Sequence, residues 1–314
     1  MKKVIFLNIV FICLFAVLLE LSAFCIFFIT NKDEISAVNA MTLDNIKDMF
    51  SINNFELIED SFPIEVIKGK SDKAIIVYGG SYAWGDGNRK ESFPCLLSQY
   101  TGKTVYNAAI CGMGNASMLY RLGLEKNRKQ KINADTIIYV CISDHLRRNL
   151  MFTPNIVFNE FCANYYLDKN NNLKMTKYSK IKYFLYSLYI TRVITNSYAM
   201  HHRFEKYSVN LFKKITEESY KRAKEIFPNS KFIILFYCDD TTKFPDNDRS
   251  KEPIMFGILK DIQSRNKDII LVKTMDFSCG QSILDGKYKA ADNIHPSKRA
   301  WEKIVPEFAD RYLK

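Results

Sequence analysis

Residues Ile75 to Gly87 read IIVYGGSYAWGDG, an apolar run closed by two glycines and a serine. A continuous apolar run of strand length is what a strand covered on both faces looks like. Gly79 and Gly80 then allow a sharp reversal and a close backbone approach, which leaves Ser81 at the strand's carboxyl end. The chain has only 12 glycines in 314 residues, so two in succession before one hydroxyl mark a place where the backbone must turn tightly.

Working outward, similar apolar runs occupy Ala74 to Tyr78, Thr104 to Ala108, Thr136 to Ile142, Phe232 to Tyr237 and Ile269 to Val272. Helical patterns lie between them, at Phe93 to Tyr100, Ala116 to Leu124 and Leu211 to Ile226. That alternation predicts a three-layer α/β/α sandwich around a five-stranded parallel sheet, a flavodoxin-like arrangement. Residues 149–208 interrupt it after the third strand. Within them YYLDKNNNLKMTKY reads as a hairpin with an Asn-rich turn, and SLYITRVITNSYAMHHRF as a helix. An insertion there lies at the carboxyl end of the sheet, where open α/β folds place ligands.

Composition sets the outer bounds. With 47% hydrophobic residues the chain is a folded protein, and its net charge of +11 is spread along the whole length. Such a surface attracts anions without specifying which. No zinc-finger spacing, RNP-like aromatic motif or concentrated basic helix is present, so no nucleic-acid partner is expected. No C-x-x-C pair occurs either, and neither a metal nor another cofactor is expected.

The N-terminus begins with two lysines and runs apolar from Val4 to Ile29, interrupted only by Asn8, Glu20 and Ser22. About 20 apolar residues suffice to span a bilayer, so residues 1–30 read as a transmembrane anchor with the rest of the chain on its periplasmic or extracellular side. A cleaved signal peptide is the alternative, weakened by Leu21 at a position that should be small. Residues 31–70 then form a stalk with a short helix near Leu43 to Phe50, and residues 71–314 the folded domain.

A serine at a strand end attacks only when a base takes its proton. A phosphate-cradling glycine turn uses similar residues, but neither the P-loop spacing with its lysine nor G-x-G-x-x-G is present. Of the four histidines, His145, His201 and His202 lie in or near the insertion, and His295 stands in ADNIHPSKRAWEKIV. Asp292 precedes His295 by three residues, a spacing that lets a carboxylate hold one imidazole nitrogen while the other faces a serine.

These blocks resemble the SGNH or GDSL hydrolases. GGSYAWGDG is similar to the family's nucleophile block, Asn107 to Gly112 to its N-x-G-x-x-G block, and Asp292, His295 and Pro296 to its Asp-x-x-His-Pro block. The resemblance implies Ser81 as nucleophile, His295 as proton shuttle and Asp292 as its orienting carboxylate, with Ser81 and Gly112 amides in the oxyanion hole. Two departures stand out: Gly80 replaces the aspartate of the signature, and Ser143, followed by Asp144, stands where the third block should supply an asparagine. Ser143, His145 and Asn115 are the candidate substitutes.

The implied activity is an esterase that removes O-acyl groups, O-acetyl first among them, from cell-envelope carbohydrate. Transfer of the acyl group to a sugar hydroxyl uses the same acyl-enzyme and remains open. A non-catalytic glycan- or partner-binding protein is the reading from another class, favoured by the altered third block.

Overall fold

The computed structural model describes residues 14–23, 25, 64–84, 89–110, 112–126, 132–150, 164–176, 189–237, 251–279, 288 and 295–314. Its centre is a six-stranded sheet. The strands are β1 (Glu65–Ile67), β2 (Ser71–Gly79), β3 (Lys103–Asn107), β4 (Ala134–Cys141), β7 (Lys231–Phe236) and β8 (Ile269–Lys273), in spatial order β1-β3-β2-β4-β7-β8. All neighbours pair parallel except β1, which runs antiparallel along β3. Leaving β1 aside, the parallel order is second, first, third, fourth, fifth, the flavodoxin-like order.

The alternation of side chains along each strand divides the core into two layers. Ile75, Val77, Ile138, Val140, Ile233 and Leu235 point to one face. There they meet α2 (Phe93–Thr101) through Phe93 and Leu97, and α8 (Lys298–Tyr312) through Trp301, Ile304 and Phe308. Ile76, Tyr78, Ile137, Tyr139, Ile234 and Phe236 point to the other. That face is covered by α3 (Asn115–Glu125), α6 (Lys206–Ile226) and α7 (Lys251–Arg265), through Met118, Leu122, Phe212, Leu259 and Ile262. Because both faces are covered, the central strands carry no polar alternation and read as apolar runs.

Local chemistry sets the helix ends. Ser92 caps α2 by accepting from the Cys95 backbone N–H, proline follows in the first turn, and Gly102 ends the helix in the left-handed region at φ 68°. Ser92→Ala is expected to lower stability by about 1 kcal/mol, read as an unchanged slope with a shifted midpoint in denaturant unfolding. An unshifted midpoint would show that the buried hydroxyl contributes nothing there.

Helix α4 (His145–Leu150) follows β4 and runs into the insertion, which supplies the antiparallel hairpin β5 (Asn164–Leu167) and β6 (Leu173–Thr176), and α5 (Tyr189–His202). The hairpin turn is built as its Asn-rich sequence suggests: Asp168 accepts from the backbone N–H groups of Asn170 and Asn172, and Asn171 takes φ 61°.

Two expectations are corrected. Among the described residues the sheet has six strands rather than five, because Glu65 to Ile67, within the segment read as a stalk, pair with Val105 to Asn107. Three residues are too short a run to carry a periodic signal, so only the pairing with β3 reveals them. The N-terminal membrane anchor, and the periplasmic or extracellular placement that followed from it, are overturned: among the described residues no helix is long and apolar enough to cross a membrane. The described helical residues at that end are 14–23 and 25. The short helix expected near Leu43 to Phe50 lies outside the described residues.

Candidate active site

Ser81 opens α1 (Ser81–Trp84), a single turn closed by bonds from the Ala83 and Trp84 N–H groups to the Gly80 carbonyl. The two preceding glycines are required by space. A Cβ on Gly79 would stand 2.9 Å from the Ala83 Cβ and 3.0 Å from the Val140 carbonyl oxygen. One on Gly80 would stand 2.5 Å from Arg148 Nη1, 2.7 Å from the Met113 carbonyl oxygen and 3.2 Å from His145 Nε2. The strand therefore ends against the turn at Met113 and helix α4, with Ser81 only 4% exposed.

His295 arrives from the far end of the chain, just before α8. Its ring lies 5.2 Å from the ring of Tyr82, centroid to centroid, at 57°. Tyr82 in turn meets Tyr237 edge-on at 5.2 Å, and Tyr237 meets Trp301 at 5.3 Å. These aromatic contacts tie the turn after β2, the end of β7 and the first turns of α8 into one wall beside Ser81. Asp292 lies outside the described residues.

The loop bearing Gly112 is stitched to the same strand end. Ile110 N–H donates to the Gly79 carbonyl and Met113 N–H to the Ile110 carbonyl. Gly112 sits in that turn at φ 75°, in the left-handed region that favours glycine. Ser143 follows β4, whose Val140 is paired with Gly79, so its loop stands beside the serine turn; Ser143 is 6% exposed. Ser81, His295, Gly112 and Ser143 thus gather at one end of the sheet.

The candidates for the third-block asparagine separate clearly. Asn115 is fully buried, and its amide donates to the Phe212 carbonyl at 3.0 Å and to Thr216 Oγ1 at 2.9 Å. Its donors hold α3 against α6, so it is not a free donor at the site. His145 is buried behind the serine turn, its Nδ1 2.5 Å from the Tyr139 hydroxyl and its Nε2 without a hydrogen-bond partner among the described residues. Burial, reinforced by the nearby Arg148 charge and opposed by Asp144, holds its pKa well below the ordinary histidine value. Tyr139 is pushed well above the ordinary tyrosine value by burial and by Cys141. The Tyr139 and His145 pair is therefore neutral near neutral pH.

Next to it lies a charge cluster not anticipated from the sequence. Arg147 grips both Asp144 oxygens, at 2.6 and 2.9 Å, while Arg148 Nε donates to Asp144 Oδ2 at 2.8 Å and Nη1 to the Met113 carbonyl at 2.9 Å. Burial pushes the Asp144 carboxyl up, but the two guanidiniums outweigh it and hold the group well below the usual carboxylate range. Two arginines three and four positions after an aspartate at a helix start are the sequence signal that could have revealed this cluster.

No protein-family model matches the chain. No curated protein matches it either. Among solved structures it is similar to a protein from Streptococcus pneumonia described as a candidate platelet activating factor, at 13% identity and TM-score 0.49, covering 90% of this chain and 100% of that one. A lipolytic protein of the G-D-S-L family from Veillonella parvula matches at 11% identity and TM-score 0.45, over 77% of this chain and 99% of the other. A family two carbohydrate esterase from Clostridium thermocellum, solved with cellohexaose, matches at 9% identity and TM-score 0.42, over 78% of this chain and 65% of the other. The solved structures to which this chain is similar thus include lipolytic G-D-S-L proteins and carbohydrate esterases.

Proposed function

We propose that the chain is a serine esterase acting on O-acylated carbohydrate, with O-acetyl as the first acyl group to consider. Ser81 Oγ attacks the ester carbonyl while His295 takes its proton, and His295 then returns that proton to the departing sugar hydroxyl. Water, activated by the same imidazole, releases the acid from the acyl-enzyme. Asp292 is assigned the role of orienting His295. The N–H groups of Ser81 and Gly112 donate to the oxyanion, with the Ser143 hydroxyl as the third group at that position. The envelope location belonged to the anchor and is not carried forward.

The observation that carries this reading is the contact between the rings of Tyr82 and His295, which sets an imidazole beside the residue adjoining a buried serine. Acyl transfer requires a base within reach of the serine, and a histidine more than two hundred positions away packed on the serine's chain neighbour supports that assignment. Supporting it further is the turn of Gly112, bound to the strand end that presents the serine.

A fluorophosphonate tests the assignment directly, because only an activated hydroxyl displaces its fluoride. After treatment of the full chain, peptide mass spectrometry is expected to find the phosphonyl group on Ser81, with labelling strongly slowed in His295→Ala. A folded protein that takes no label, or takes it on another residue, would refute the nucleophile.

A further inference from the structure

We propose that Arg148 is a positioning residue for this site, its guanidinium pinning together the backbone segments that supply the oxyanion donors. The proposal rests on the esterase reading above and concerns how that site is held in shape. Three loops meet at this side chain: the turn after β2 at Gly80, the turn of Ile110 to Met113, and the loop after β4 at Asp144. Nη1 bonds the Met113 carbonyl, Nε bonds Asp144 Oδ2, and Nη1 occupies the place where a side chain on residue 80 would begin.

The chemistry of the guanidinium suits this use. Its donors are fixed in one plane, so two bonds made in different directions set the orientation of the whole group. The face that Gly80 meets is thereby determined. The Arg148 side chain is only 13% exposed, so its bonds are made largely out of water and compete little with it. Asp144 is itself held from the other side by Arg147, which keeps the anchor still.

This gives Gly80 a reason for being glycine. The resemblance places an aspartate there, but in this chain the space is filled by Arg148 Nη1, the Met113 carbonyl and His145 Nε2. Glycine at 80 and arginine at 148 are one device, in which a side chain from α4 does the joining that residue 80 cannot do itself. The device matters more here than where an asparagine amide is present, because Asn115 is committed to α6 and two of the three proposed oxyanion donors are backbone N–H groups. Their placement follows from how the three loops are clamped.

The test uses the full chain with a short p-nitrophenyl ester, comparing wild type, Ser81→Ala, Arg148→Gln and Arg148→Lys. Misplacing donors by about 1 Å is expected to lower kcat on the order of 100-fold in Arg148→Gln. Lysine keeps the charge but lacks the planar fork, so Arg148→Lys is expected to recover no more than about a tenth of wild-type kcat. KM should stay within roughly threefold, because the clamp acts on the transition state rather than on ground-state binding.

Wild-type kcat in either folded variant, or an effect confined to KM, overturns the proposal while leaving the esterase reading intact. Failure of both variants to fold also overturns it, since Arg148 would then serve stability alone. Absence of Ser81-dependent turnover in the wild type removes the esterase reading itself, and the clamp with it.

Discussion

Ser81→Ala is expected to reduce ester hydrolysis by roughly 10⁴- to 10⁶-fold, the range seen when a nucleophilic serine is removed from a triad that works as a unit. The size of the effect follows from the chemistry. Without the hydroxyl no acyl-enzyme forms, and the remaining donors can only assist direct attack by water. The substitution removes one atom from a residue that is 4% exposed, at a site where the backbone turn is made by Gly80 and closed by Ala83 and Trp84. Folding should therefore be preserved, and circular dichroism with an unchanged unfolding midpoint would separate lost chemistry from lost structure. Ester turnover by Ser81→Ala within tenfold of the wild type would place the chemistry elsewhere.

Asp144→Asn is expected to lower the stability of the folded chain by about 3–5 kcal/mol, because it leaves buried guanidiniums facing a neutral amide. Arg147 and Arg148 both direct N–H groups at this carboxylate, whose side chain is 5% exposed. The same cluster predicts the acid limb of stability. The Asp144 pKa is lowered in the folded state, so its contribution is fully present above the unfolded value of about 3.9 and is lost as pH falls below it. Denaturant unfolding of the wild type between about pH 5 and pH 2.5 should show this loss, and Asp144→Asn should flatten that part of the curve. Parallel curves for the two proteins would mean that the carboxylate titrates alike folded and unfolded.

Much of the scaffold was legible because of how parallel sheets bury their strands. The runs around Ile76, Ile138 and Ile234 are apolar on both faces, so composition alone locates them. The hairpin was legible for a different reason, since Asp168 and the asparagines after it make their own turn through local bonds. Strand β1 was not, because Glu65 and Ile67 acquire their conformation from β3. Helix α6 begins at Lys206, ahead of the apolar start at Leu211, and its buried face includes Ser208, Thr216 and Ser219. Those hydroxyls are satisfied by carbonyls, Thr216 and Ser219 by those four residues earlier, which hides them from a reading based on apolar spacing.

The site divides along the same line. Ser81 and His295 stood out by residue type and by their neighbours in the chain. Asn115 was misjudged as a donor because what claims its amide, Phe212 and Thr216, lies on another helix about a hundred positions away. Arg148 was overlooked because its meaning comes from Gly80 and Met113, neither of which is near it in the chain.

Strand β1 also has a consequence for where this protein can be cut. It lies along the outer margin of β3, and its Glu65 carboxylate accepts from the Asn107 amide at 3.0 Å. A fragment starting at Ser71 would bare the backbone N–H and carbonyl groups of β3 and invite a second molecule to add itself there. Val66 is buried and Ile67 packs against the core, and these three residues act besides as a guard against self-association, so any shortened form of the protein should begin upstream of them.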